Sequence, residues 1–174
     1  MTRMEIPAGR RLSAGMLLCA LLAGAPAHAE VTMGEAAPDF TLKRGDGTPF
    51  RLSDLRGNVV VVIFWATWCQ YCKHLMPGLQ KLKDFYADEP FRVLAVDSWD
   101  QGDPQAYMRR AGLHFDLVVD GDRVAEDWGV HYIPTMLVIH GNGQVLFRTN
   151  NYDPDDPDLL GVIDAAVNSL KHRR

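Results

Sequence analysis

Seven consecutive apolar positions, Val59-Val60-Val61-Val62-Ile63-Phe64-Trp65, stand out in the middle of the chain. The run is β-branched and aromatic with no polar alternation, so it predicts a strand buried on both faces, as in parallel or mixed sheets covered by helices. The spacing then changes. From about Cys69 to Ala87, Leu75, Leu79, Leu82, Phe85 and Tyr86 recur every three or four residues and predict one face of a helix. Phe91–Val96 is a second buried strand. Pro104, Ala106, Tyr107, Arg110 and Ala111 predict a helix opened by proline and closed at Gly112. Leu117–Val119 is a short strand and Arg123–Trp128 a short helix. Thr135–Ile139 and Gln144–Phe147 flank Gly141-Asn142-Gly143, and an Asn-Gly pair between apolar runs signals a hairpin. The acidic stretch Asp153–Asp158, with Pro154 and Pro157, is read as a loop before a closing amphipathic helix, Leu159–Leu170. Ahead of the long strand, Asp39–Leu42 and Phe50–Leu52 predict an N-terminal β-hairpin around Gly45-Asp46-Gly47, and Ser53–Leu55 one helical turn. The order βαβ, an αβα insertion, then ββα predicts an α/β fold whose central mixed β-sheet is flanked by helices.

The first 29 residues follow another rule. Arg3, Arg10 and Arg11 precede an apolar run, Met16–Ala25, and Ala27-His28-Ala29 follows it. A charged start, a short apolar middle and small residues at the end are the layout of a cleavable secretory signal. The expected division is a signal peptide at 1–29 and one domain at 30–174, exported to the periplasm, with a membrane-anchored form the alternative. A bilayer-spanning helix needs ~20 apolar residues, which this run lacks. Cys19 falls inside the segment, behind Leu18 rather than the small residue that lipid attachment wants. Of the 18 basic and 22 acidic side chains, Arg3, Arg10, Arg11 and Glu5 belong to the signal, which leaves the domain a formal charge of −6. That balance argues against nucleic acid or an anionic membrane as partner.

The domain keeps two cysteines, Cys69 and Cys72, with Gln70-Tyr71 between them at the expected junction of strand and helix. A two-residue spacer at a helix start puts both sulfurs on one face, close enough to join. Unpaired backbone N–H groups and the positive end of the helix dipole favour a thiolate there, and Lys73 adds a cation. Thiol pKa values in such sites fall to ~3.5–7.5 from about 8.5. Cys69 is then the nucleophile and Cys72 the resolving thiol of a thiol–disulfide exchange. Other uses of such a pair exist. Half a zinc site would need a second pair, and His74, His114, His131 and His140 form no recognisable ligand set. A c-type haem would need histidine where Lys73 stands. An inert structural disulfide is the third.

The neighbouring residues bear on the choice. Phe64-Trp65-Ala66-Thr67-Trp68-Cys69-Gln70-Tyr71-Cys72-Lys73, with Pro77 beyond, resembles the active-site strand and helix of thioredoxins, and Tyr132-Ile133-Pro134-Thr135 resembles their cis-proline loop. Ala37–Leu42 and Leu52–Gly57 are similar to the opening shared by TlpA/ResA-like periplasmic thioredoxins and the AhpC/TSA superfamily of peroxiredoxins. Against a peroxidatic site, the positions that would carry its proline and threonine hold Val62 and Ala66.

The resemblance implies a thioredoxin fold, a redox-active disulfide between Cys69 and Cys72, and no cofactor or metal. It implies that Pro134 stands against the cysteines and leaves a backbone edge open for protein disulfide substrates. Trp68, Ile133 and Tyr132, with Trp99 beside them, are the expected substrate surface. Thioredoxin has a buried aspartate where this chain has Ile63, whereas TlpA/ResA-like proteins carry a glutamate after the next strand, a place that falls on Asp100. Asp100 is therefore expected to be partly buried, with its pKa raised by desolvation, and to shuttle the proton of Cys72; Asp97 is the other candidate. Ile133 and the TlpA/ResA-like frame favour a reductase. Its electrons would come from a membrane donor of the CcdA/DsbD type, and apocytochromes c would be among its substrates. The alternatives are a periplasmic oxidase or isomerase, which Tyr71 brings to mind, and a copper metallochaperone using Cys69, Cys72 and a histidine.

Overall fold

The computed structural model describes residues 30–151, 153 and 155–172. The expected signal segment lies outside the described residues. The elements run β1 (Thr41–Arg44), β2 (Pro49–Arg51), a 3-10 turn (Leu52–Leu55), β3 (Val59–Trp65), α1 (Gln70–Phe85), β4 (Phe91–Asp97) and α2 (Pro104–Ala111). They continue with β5 (Asp116–Val119), α3 (Asp122–Asp127), β6 (Thr135–Ile139), β7 (Val145–Thr149) and α4 (Pro157–Lys171). The strands form one seven-stranded mixed sheet in the order β2-β1-β5-β4-β3-β6-β7. Among the described residues, no helix is long and apolar enough to cross a membrane.

The long apolar run becomes the centre of this sheet. β3 pairs in parallel with β4 and antiparallel with β6, and all seven of its residues are buried. Alternation sends Val59, Val61, Ile63 and Trp65 into a core shared with α1 and α4, which also holds Cys69 and Cys72. Val60, Val62 and Phe64 enter a second core with Phe50, Trp128 and Val31 on the other face. The lack of polar alternation thus reflects two covered faces. The insertion α2-β5-α3 extends the sheet in parallel beyond β4, and the N-terminal hairpin pairs antiparallel with β5.

Several boundaries differ from the sequence expectation, each for a local reason. β1 begins at Thr41 because the Asp39 carboxylate turns aside to accept from the Ser53 N–H and hydroxyl, both at 2.9 Å. α4 begins at Pro157, inside the expected loop. The Asp156 side chain accepts from the Asp158 N–H at 2.9 Å and caps the helix, and proline fits its first turn. β4 runs one residue further than expected, to Asp97, because Asp97 pairs with Trp65 at the end of β3.

One half-buried cation joins the N-terminal segment to the sheet. Arg148 on β7 donates from Nη1 to the carbonyls of Val31 (3.0 Å) and Trp128 (2.9 Å), and from Nη2 to that of Gly129 (2.7 Å). Its other contact is Glu30 at 3.3 Å. Arg148→Ala strands these carbonyls and is expected to lower the urea-unfolding free energy by about 3 kcal/mol. Arg148→Lys should recover only part of that loss, since a single ammonium cannot reproduce the guanidinium fork.

Candidate active site

Strand β3 ends at Trp65, and Ala66-Thr67-Trp68 carries the chain to Cys69, the N-cap of α1. The Cys69 N–H donates to the Ala66 carbonyl at 3.1 Å, and the Cys72 N–H donates to Cys69 Sγ at 3.1 Å. The Cys69 sulfur therefore does the capping work that a serine or aspartate oxygen does elsewhere. Cys69 and Cys72 are joined as a disulfide with their Cα atoms 5.3 Å apart. Cys72 is fully buried, whereas Cys69 keeps 4% exposure. Pro77 lies inside α1, where it removes the N–H that would bond the Lys73 carbonyl. The Lys73 ammonium sits over the Tyr107 ring, 5.6 Å from its centroid.

The second part of the site comes from the start of β6. Thr135 pairs with Phe64, so Pro134 stands level with the end of β3 from which Cys69 emerges. Pro134 is buried, and the Ile133–Pro134 bond is cis. Ile133 is half-buried and packs against both cores. The Thr135 hydroxyl donates to the Tyr132 carbonyl at 2.6 Å and closes the loop. Trp68 and Tyr132 are exposed, as is Tyr71 between the two cysteines. A groove of 510 Å³ lined by Val31, Met33, His131, Tyr132 and Thr135 opens beside the loop. Trp99 does meet Trp68: the Trp68 indole N–H donates to the Trp99 carbonyl at 2.9 Å. Among the described residues, no group of three or more His, Cys, Asp or Glu side chains is arranged to hold a metal ion.

The acids reverse the expectation for Asp100. Burial pushes its carboxyl upward, but hydrogen bonds from the Thr67 N–H, the Thr67 hydroxyl and the Gly102 N–H outweigh burial and hold it below the ordinary aspartate value. The raised acid is Asp97, only 7% exposed. Burial, a hydrogen bond shared with Asp100, and the charges of Asp100, Asp122 and Asp120 push it up to about 8. Asp97 Oδ1 has no hydrogen-bond partner among the described residues, and neither has Nε1 of its register neighbour Trp65. An unpaired buried oxygen favours the neutral acid. Val93 and Ala95 lie in the core that holds the cysteines, so strand alternation turns Asp97 to that same face. Nothing in the order of residues announced Thr67 or Gly102 as partners of Asp100.

Asp97 also ties stability to pH. Between its ordinary value of 3.8 and about 8, the folded chain keeps a proton that the unfolded chain has released. This contribution is full below the lower value and is lost as the pH rises through the upper one. Asp97→Asn retains a donor towards Asp100 and cannot ionise. Its urea-unfolding free energy should gain on that of the parent protein as pH rises from about 5 to about 8, by at most about 1.4 kcal/mol per pH unit.

Comparison with known proteins agrees with this geometry. The model of the AhpC/TSA family matches residues 33–148. The thiol–disulfide oxidoreductase ResA of Geobacillus thermodenitrificans is 38% identical over 120 residues, covering 66% of this chain and 67% of that protein. The thioredoxin-like protein YneN of Bacillus subtilis is 34% identical over 116 residues, covering 64% and 68%. A Chlorobium tepidum crystal structure described as a thiol:disulfide interchange protein DsbE superposes with a TM-score of 0.73 at 31% identity, covering 79% of this chain and 99% of that one. The chain therefore belongs to the AhpC/TSA family, with a thioredoxin-like fold and relatives named as thiol–disulfide oxidoreductases.

Proposed function

We propose that this protein is an exported thiol–disulfide oxidoreductase that reduces disulfides of other proteins in the periplasm. The observation that carries the reading is the Cys69–Cys72 disulfide at the N-cap of α1, with Cys69 the only one of the pair that keeps any exposure. In the reduced protein, the Cys69 thiolate attacks one sulfur of a substrate disulfide. The other substrate sulfur leaves as a thiolate and takes up a proton. Cys72 then loses its proton and attacks Cys69 Sγ, which frees the second substrate thiol and restores the Cys69–Cys72 disulfide. Two electrons pass to the substrate, and a donor must return them.

Asp97 is the group suited to take the Cys72 proton, since it is buried on the cysteine face and its carboxyl is pushed up to about 8, towards the range in which thiols titrate. Asp100, held ionised by its hydrogen bonds, is not proposed for that step. The edge before Pro134 receives the substrate backbone, with Trp68, Ile133 and Tyr132 as its apolar surroundings and the groove beside Tyr132 as room for the flanking chain. Ile133, in place of the threonine of isomerases, supports reduction over isomerisation. A membrane donor of the CcdA/DsbD type and apocytochromes c fit an exported reductase of this kind, and the secretory layout of residues 1–29 supports the compartment.

The deciding measurement is the reduction potential of the Cys69–Cys72 couple in glutathione or dithiothreitol buffers. A value near ~−270 mV is expected, and one at ~−180 mV or above would place the protein with oxidants and isomerases. In parallel, Cys72→Ser should accumulate a mixed disulfide with a disulfide-containing substrate such as insulin, and Cys69→Ser should not.

A further inference from the structure

The turn before Cys69 is held by a second loop, the one that follows β4. The Thr67 N–H donates to Asp100 Oδ2 at 2.6 Å, and the Thr67 hydroxyl donates to Asp100 Oδ1 at 2.7 Å. The Gly102 N–H donates to that same Oδ1 at 2.9 Å. One residue on, the Trp68 indole reaches the Trp99 carbonyl. Trp99 is itself fixed in the left-handed region, at φ 54°, by donating its N–H to Asp122 Oδ1 at 2.7 Å. Gly102 completes the packing, because a Cβ there would collide with Thr67 Oγ1.

We propose that Asp100 is a positioning residue for Cys69: through Thr67 it holds the turn that delivers the nucleophile in one placement while the disulfide opens and closes. The inference rests on the dithiol reading above. While the disulfide is closed, the bond to Cys72 fixes Cys69 from its C-terminal side. Once the disulfide opens that tie is gone, and what fixes Cys69 on its other side is the Thr67-Trp68 turn. Hydrogen bonds to an ionised carboxylate are roughly twice as strong as neutral ones, which suits a brace of this kind. The titratable groups facing Asp100 are acids, Asp97 with Asp120 and Asp122 around it. Asp97 donates to Asp100 when neutral, so the brace and the proton store are neighbours with separate tasks.

Two substitutions test this without altering any charge. Thr67→Val removes the hydroxyl, and Gly102→Ala drives a methyl group into Thr67. Both should slow the reaction of the reduced protein with insulin by about tenfold or more, as expected when a reacting group is misplaced. The pH midpoint of Cys69 alkylation should stay at the parent value, and Thr67→Ser should restore the rate. Asp100→Asn should show a similar loss, and combining it with Thr67→Val should add little, because both remove one interaction. The emission of Trp68 should shift in Thr67→Val and Gly102→Ala alike. Parent-like rates in both uncharged variants would overturn the proposal. So would a loss confined to Asp100→Asn and accompanied by a shifted alkylation midpoint, since that marks proton transfer. Failure of the parent protein to reduce insulin would instead defeat the thiol-exchange reading, and the Trp68 emission and Cys69 alkylation measurements would still decide whether the brace exists.

Discussion

Strand β3 carries no polar side chain and is covered on both faces, and the rest of the molecule is arranged around satisfying that burial. Its backbone groups must pair inside the protein, so β4 and β6 are held in register along nearly its whole length. Because β4 is parallel to it, the two strands end together, with Asp97 beside Trp65. Because β6 is antiparallel, it begins where β3 ends, and Pro134 arrives at that same edge. Cys69, Asp97 and Pro134 come from three distant stretches of chain. They share one end of the sheet through strand direction alone, as is general for sites at the carboxyl ends of α/β sheets.

At that edge two carboxyl groups divide their surroundings unequally. Asp100 is supplied with donors by Thr67 and Gly102 and stays ionised. Asp97, buried one strand residue deep with Oδ1 unpaired, is driven towards the neutral form, and the charge on Asp100 drives it further. Two acids three positions apart are thus shifted in opposite directions. The aromatic side chains make a similar division. Trp65 is wholly buried against Tyr107, whereas Trp68 lies on the surface with its indole N–H tied back to the Trp99 carbonyl.

Much of this was legible in the residue order. The strand at 59–65, the helix that follows, the αβα insertion and the closing hairpin and helix all follow from periodicity and turn residues, which are local properties. Asp39 and Asp156 moved two boundaries because a carboxylate can leave its expected element to accept backbone N–H groups elsewhere. Spacing and a place at a helix start singled out the Cys69–Cys72 pair, and the residues around it narrowed its use. For Asp100 the residue order suggested a carboxyl raised by burial, and the hydrogen bonds of the folded chain lower it instead.

The sequence by itself determined the α/β order, the two-sided burial of the central strand and the position of the dithiol at a helix N-terminus, because each depends on residues within one turn or one strand. Only the tertiary structure decided which acid stays charged. That outcome depends on donors brought from Thr67, 33 positions away, and on a parallel register that draws Asp97 out of water. A pKa follows from the partners that the completed fold puts around a group, and these include residues far from it along the chain.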